Sequence, residues 1–142
     1  MKKSTPVKEI MTKKVHTVQY DESLDDALEI ITKHKVRHVP VLKGKHLVGI
    51  ISKTDLNRLT FSGLFDGEAD PDDAVLDMLT IRQVMSHKPR VVKDNTPIKE
   101  VALTLSKEEF HALPVVSEKD ESKLVGIVTT TDVIKYMLAE LK

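Results

Sequence analysis

The chain contains no cysteine and no tryptophan. Without cysteine there are no disulfides, thiolate metal sites or thiol nucleophiles, which fits a reducing compartment. Aromatic residues make up 4% of the 142 residues, so the core must be aliphatic, built from Val, Ile, Leu and Met. No excess of charge exists either, since 22 Lys and Arg balance 22 Asp and Glu. A neutral chain has no global drive toward nucleic acid or an anionic membrane, so neither is expected as a partner and any anion site is a local patch. No apolar run approaches the roughly 18 residues that span a bilayer. The opening MKKSTPVKEI lacks the apolar stretch of a signal peptide. A cytoplasmic location is expected.

What is present is enough to fold. Hydrophobic residues make up 40% and charged residues 31%, outside the range of compositionally disordered chains. The chain also repeats itself. Met11, Val18, Lys33, Pro40 and Val41 recur as Met85, Val92, Lys107, Pro114 and Val115, an offset of 74. After a three-residue insertion, Leu47 to Ile50 recurs as Leu124 to Ile127 and Asp55 as Asp132, an offset of 77. The insertion falls between two strands, where a turn tolerates it.

Each repeat opens with a short helical turn, Val7 to Met11 and Ile81 to Met85, the second started by a Thr80/Gln83 capping box. A brief strand is expected at His16 to Val18 and at Arg90 to Val92. The spacing of Leu24, Ala27, Leu28 and Ile31, and of Ile98, Val101, Ala102 and Leu105, predicts amphipathic helices. Ser23 with Asp26 and Thr96 with Pro97 mark their starts. Next come two strand pairs, His38 to Leu42 with Leu47 to Ile51, and Ala112 to Ser117 with Leu124 to Thr129. The first pair is joined by a turn at Lys43-Gly44-Lys45-His46. The continuous apolar runs suggest strands buried on both faces. A final helix follows Asp55 and Asp132.

The fold class expected is α/β, two β-α-β-β-α repeats packed about a pseudo-two-fold axis, because units of about 60 residues bury too little apolar surface to stand alone. Repeat 1 is placed at residues 1–60 and repeat 2 at 80–142. A linker over 61–79 would carry a short helix from Asp70-Pro71-Asp72-Asp73, with proline and acids in its first turn.

The segments Gly49-Ile50-Ile51-Ser52-Lys53-Thr54-Asp55 and Gly126-Ile127-Val128-Thr129-Thr130-Thr131-Asp132 hold the candidate chemistry. Each is a strand entering a helix through a hydroxyl residue, with a carboxylate three positions later. Glycine would let a ligand approach the backbone. A helix N-terminus favours phosphate. An aspartate there can accept two hydrogen bonds from a ribose diol. The competing reading is local: Ser52 and Thr129 start the helices, and Asp55 and Asp132 serve the helix dipole. Two copies at matched positions favour the functional reading.

The chain resembles a tandem pair of CBS domains, a Bateman module. The resemblance rests on Val7 to Thr12, Val39-Pro40-Val41 and Gly49 to Asp55, with Ile81 to Ser86, Leu113-Pro114-Val115 and Gly126 to Asp132 as their partners. It implies two clefts that commonly take AMP, ADP, ATP or S-adenosylmethionine as ligands rather than obligatory cofactors. It places ribose against Ser52 and Asp55, and against Thr129 and Asp132. The base would lie among Val18, Val39, Val92 and Leu113. Modules of this type usually form homodimers through their helices. No effector domain accompanies the repeats, so a regulatory output would pass through the dimer or an effector protein in trans. A structural module that dimerises without binding nucleotide would look much the same.

In nucleotide-binding relatives a basic pair often precedes the apolar-Pro-apolar strand and meets phosphate. Here the first repeat has Arg37-His38 and the second has His111-Ala112. Lys33, Lys35, Lys43 and Lys45 surround the first, while Glu108, Glu109, Glu118, Asp120 and Glu121 surround the second. The two clefts are therefore expected to be inequivalent, with anions favouring the one reached by Arg37 and His38.

No metal site is expected. His34 and His38 have a helical spacing, but His34 should end a helix and His38 begin a strand. The acidic run from Asp66 to Asp73 fails the calcium-loop pattern, because Pro71 stands where glycine is needed. No nucleophile elbow, Walker loop or dinucleotide fingerprint occurs, so no catalytic residue is assigned. Met11, Met78, Met85 and Met137 are expected in core or interface packing.

Overall fold

The computed structural model describes residues 5–65 (side chains to 59), 78–108 and 110–141. The chain divides into two compact units: His16–Lys88, which is continuous, and Met1–Val15 with Pro89–Lys142, which is not.

The continuous unit contains β1 (Val18–Gln19), α1 (Leu24–His34), β2 (His38–Lys43), β3 (His46–Ser52), α2 (Lys53–Phe65), α3 (Ile81–Val84) and β4 (Ser86–His87). Its sheet has the order β1-β2-β3-β4, with β1 parallel to β2 and the other pairs antiparallel. Helix α1 starts where expected. Ser23 Oγ accepts from the Asp26 amide at 3.3 Å and Asp26 Oδ2 accepts from the Ser23 amide at 3.2 Å. It stops at Lys35, whose φ of 53° is left-handed. Lys33 and His34 lie in its last turn, where the dipole favours cations. Gly44, at φ 64°, turns β2 into β3. Leu24, Ala27 and Ile31 of α1 pack with Val18, Val39, Val41, Ile51, Leu56, Ile81 and Met85 into an aliphatic core.

The discontinuous unit contains a 3₁₀ turn at Val7–Glu9, then β5 (Val92–Lys93), α4 (Ile98–Lys107), β6 (Ala112–Val116), β7 (Leu124–Thr129) and α5 (Thr130–Glu140). Its sheet has the order β5-β6-β7. The core is Val7, Val101, Leu113, Val115, Val128 and Val133. Among the described residues, no helix is long and apolar enough to cross a membrane.

The repeats of the sequence and the compact units do not coincide. The opening segment of repeat 1 belongs to the unit built from repeat 2, and that of repeat 2 to the unit built from repeat 1. The contacts are matched position by position. Thr5 O accepts from the first amide of α4, Ile98 N, at 2.8 Å, and Leu79 O accepts from the first amide of α1, Leu24 N, at 3.2 Å. Pro6 bridges Pro97, and Thr80 bridges Ser23. Thr12 bridges Ile127 on the outer side of β7, as β4 pairs with β3 in the other unit. A segment of only a few residues thus satisfies helix amides that would otherwise lack partners.

Several local expectations change. The first strand of each repeat begins at Val18 and Val92, two residues later than expected, because only Val18-Gln19 and Val92-Lys93 find parallel partners. Thr96 does not cap α4: its hydroxyl accepts from the Lys93 amide at 3.1 Å, and Pro97 takes the cap position without a side-chain bond. At Thr80 the reach-back half of the capping box is present, Gln83 Oε1 accepting from the Thr80 amide at 2.8 Å. Burial on both faces holds for all of β6, but in β3 only Gly49 and Ile51 are buried. Helix α2 continues to Phe65, into the segment read as linker. The short helix expected from Asp70 and the acidic run lie outside the described residues.

Candidate functional site

Both candidate carboxylates sit at a strand-to-helix junction within their own unit. In the continuous unit, β3 ends at Ser52 and α2 begins at Lys53. Asp55 Oδ2 accepts from the Ser52 amide and from Ser52 Oγ, each at 2.9 Å. Ser52 Oγ accepts from the Asp55 amide at 3.1 Å. In the discontinuous unit, Asp132 Oδ2 accepts from the Thr129 amide at 2.9 Å, and Thr129 Oγ1 accepts from the Asp132 amide at 3.1 Å. These are reciprocal capping boxes, so the local reading of these four residues describes the structure. Each box employs Oδ2. Among the described residues Oδ1 of Asp55 and of Asp132 makes no hydrogen bond. Ser52, Asp55, Thr129 and Asp132 are all half-buried.

The strand register brings a second group to each junction. His38 pairs with Ser52 across β2 and β3, and Ala112 pairs with Thr129 across β6 and β7. The residue one step earlier is tied in as well. Arg37 O accepts from the Lys53 amide at 2.8 Å, and His111 O accepts from the Thr130 amide at 3.0 Å and from Thr130 Oγ1 at 3.3 Å. Arg37, His38, Ser52, Lys53 and Asp55 therefore gather at one end of the four-stranded sheet. His111, Thr129, Thr130 and Asp132 gather at the same end of the three-stranded one. Arg37 and His111 are exposed and His38 is half-buried. Sequence reasoning missed Lys53 and Thr130. Their signal was available, since a hairpin that sets His38 opposite Ser52 brings the residue before one against the residue after the other.

The apolar residues expected around a base lie deeper. Val18, Val39 and Leu113 are core residues, 2%, 0% and 0% exposed, whereas Val92 is half-buried at the edge of its core. The glycines also serve another purpose than the one expected. A Cβ on Gly49 would stand 2.8 Å from Ser86 O and would collide with the Met85 side chain. On Gly126 it would stand 2.9 Å from Thr12 O and collide with Met11. What approaches the backbone at these glycines is the methionine of the opening segment, not a ligand. Met11 and Met85 pack against the two cores as expected.

His34 closes α1 and His38 opens β2, so the two do not share a helical face. The His34 ring instead stacks on His16, with centroids 3.7 Å apart and planes 14° from parallel. Desolvation, then the His16 imidazole and the Lys33 ammonium, hold the His34 imidazole below its ordinary value. The positions equivalent to His16 and His34 in the other repeat are Arg90 and Glu108, which form an ion pair at 3.3 Å.

Two α/β units on one plan, drawn from an internally duplicated chain, define a tandem-repeat module. A family model described as CBS domain matches residues 7–61 and 81–139, and the chain belongs to the CBS domain family. A CBS domain-containing protein of Dictyostelium discoideum is 27% identical over 137 residues, covering 96% of this chain and 93% of that protein. The chloroplastic CBS domain-containing protein CBSX2 of Arabidopsis thaliana is 30% identical over 142 residues, covering 87% of this chain, which spans 59% of its length. The structure of CBSX2 in complex with AMP matches with a TM-score of 0.78 at 31% identity, over 96% of this chain and 98% of that one. The CBS domain pair of protein MJ0100, in complex with 5′-methylthioadenosine and S-adenosylmethionine, matches with a TM-score of 0.78 at 28% identity, over 97% of this chain and 98% of the other.

Proposed function

We propose that this CBS pair is a regulatory module without catalytic activity that senses an adenosyl ligand, AMP, ADP, ATP or S-adenosylmethionine. The observation that carries the proposal is the paired junction. In both units a half-buried aspartate is locked through Oδ2 by its capping box, beside a helix N-terminus. A rigid acceptor of this kind suits a ribose diol, and the neighbouring amides suit phosphate. The kinship with CBSX2, whose structure holds AMP, and with MJ0100, whose structure holds two adenosyl compounds, supports the ligand class. In this reading Ser52, Asp55, Thr129 and Asp132 hold the sugar, and Arg37, His38 and His111 lie toward phosphate. Val92 is the apolar candidate with exposed surface to offer a base. Val18, Val39 and Leu113 would shape the pocket from beneath.

Binding would act by favouring one arrangement of the module over another, by no more than the difference in affinity for the two. The output would pass through a homodimer or an effector protein. An open apolar groove between α4 and α5 supports self-association: Leu103, Ile134 and Met137 are 44%, 50% and 42% exposed there. The second reading is a dimerising module that binds no nucleotide. The capping boxes favour it, because they give Ser52, Asp55, Thr129 and Asp132 a local role in starting the two helices. Thermal unfolding separates the two. A ligand at about 100 times its dissociation constant stabilises by about 2.7 kcal/mol, a readily measured rise in midpoint. No rise with any of the four ligands would leave the assembly reading.

A further inference from the structure

His16 and Arg90 stand at matched places where the chain changes unit. It passes from one unit to the other between Val15 and His16, and back between Lys88 and Pro89. At each place a side chain of the entering segment meets the C-terminal end of the first α-helix of the unit it joins. His16 stacks on His34, the last residue of α1, with ring centroids 3.7 Å apart. Arg90 pairs with Glu108, the C-cap of α4, at 3.3 Å. The offset of 74 relates both members of the two pairs, so the same contact is made with two chemistries. The stacked rings are not a metal-ligand pair. Their planes, 14° from parallel, hold the in-plane lone pairs side by side rather than aimed at one ion.

We infer that the His16–His34 stack is a proton-released clamp: neutral, it fixes the chain where it enters the continuous unit, and protonated, it lets go while Arg90 and Glu108 hold the other entry. A guanidinium and a carboxylate keep their charges over about pH 5 to 8, whereas imidazoles titrate inside that range. Two neutral rings stack, but two imidazolium ions repel across the same gap. Both residues are exposed, so solvent protons reach them. Helix α2 and strand β2 pack on α1 and carry Lys53, Asp55 and Arg58, and His38 and Lys43. Asp55, the acid among them, is engaged by its own capping box. The charges that act on His34 are those of His16 and Lys33, and neither compensates a positive charge. The α1 dipole favours a cation at this end, but desolvation and these two neighbours outweigh it. Folded His34 therefore takes its proton less readily than the unfolded chain does, so the clamp is closed above the ordinary value of 6.5 and opens as the pH falls below it. The first structure beyond the clamp is β1, a strand of two residues.

The test is amide exchange of the full chain at pH 5.5 and 7.5, corrected for the intrinsic pH dependence of exchange. Tyr20 N donates to Leu42 O and Asp94 N to Val116 O, each at 2.9 Å, which gives one matched amide beyond each entry. Protection of the Tyr20 amide is expected to fall about threefold or more at pH 5.5, with that of Asp94 unchanged. His16→Arg/His34→Glu, which grafts the ion pair of the other unit, should erase the difference, and His34→Asn should reduce it. No fall at Tyr20, an equal fall at both amides, or a double variant that keeps the parent's response overturns the inference. Should the double variant not fold, a His34→Asn chain that keeps the parent's response overturns it as well.

Discussion

At the scale of single residues, the two glycines and the two histidines behave differently from what their sequence neighbourhoods suggest. Gly49 lies in a strand that enters a candidate site, so ligand approach was the natural reading. The missing Cβ instead makes room for Met85 and for the carbonyl of Ser86. Nothing local to Gly49 announces this, because the partner lies more than thirty positions away. Gly49→Ala is expected to cost about 1–3 kcal/mol of stability, the usual range for overpacking a filled core, as measured by urea unfolding. The same change at Gly44, where no atom lies within reach of an added Cβ, tests backbone strain alone, since its φ is positive. The His16–His34 stack carries a pH dependence of definite sign. The folded His34 value lies below the unfolded 6.5, so the unfolded chain binds more protons. Stability should therefore fall as the pH drops below 6.5 and recover above it. Urea midpoints at pH 5.5 and 7.5 should differ less in His34→Asn than in the parent.

At the scale of elements, most of the architecture could be read directly. The 3.6-residue spacing of Leu24, Ala27 and Ile31 and the serine ahead of it place α1 within a residue of its observed start. The hairpins follow from apolar runs separated by turn residues. What sequence could not supply is the choice among local hydrogen-bond partners. Ser23 and Thr96 both precede a predicted helix, yet Ser23 caps α1 while Thr96 turns back to Lys93. At Pro97 the ring fixes the cap geometry, and Thr5 O meets the first free amide from outside the helix. Ser23→Ala is expected to cost about 1 kcal/mol, the typical worth of a lost N-cap. Thr96→Ala should cost clearly less in the same denaturation series. An equal loss at both positions would mean that Thr96 supports the helix through its bond to β5. The candidate site was likewise half visible. Its carboxylates and hydroxyls stood out as a doubled pattern, whereas Lys53 and Thr130 emerge only once the strand register is known.

At the scale of the whole molecule, duplication and folding obey different boundaries. The family match begins at residues 7 and 81, at the helical turns. Those turns cross over: Val7 is fully buried in the core completed by Val101, Leu113 and Val128. Removing residues 1–12 should therefore destabilise the discontinuous unit by on the order of 2–5 kcal/mol, the cost of emptying a large buried position. Amide exchange offers a local readout, since Ile127 N donates to Thr12 O at 3.0 Å. In the shortened chain this amide should exchange far faster, while amides of β2 keep their protection.

The nesting of residues 16–88 inside a unit assembled from both ends of the chain also sets an order of events in time. Residues 5–12 are synthesised ahead of His16–Lys88, yet their hydrogen-bonding partners at Thr96, Ile98 and Ile127 come after it. The described core residues of the inner unit have all been made when Lys88 emerges, so its core can begin to assemble during synthesis. The leading segment must wait through it, then close a loop of more than eighty residues, at an entropic cost that grows only slowly with that length. A permuted chain in which residues 5–15 follow residues 89–141 directly would remove the wait.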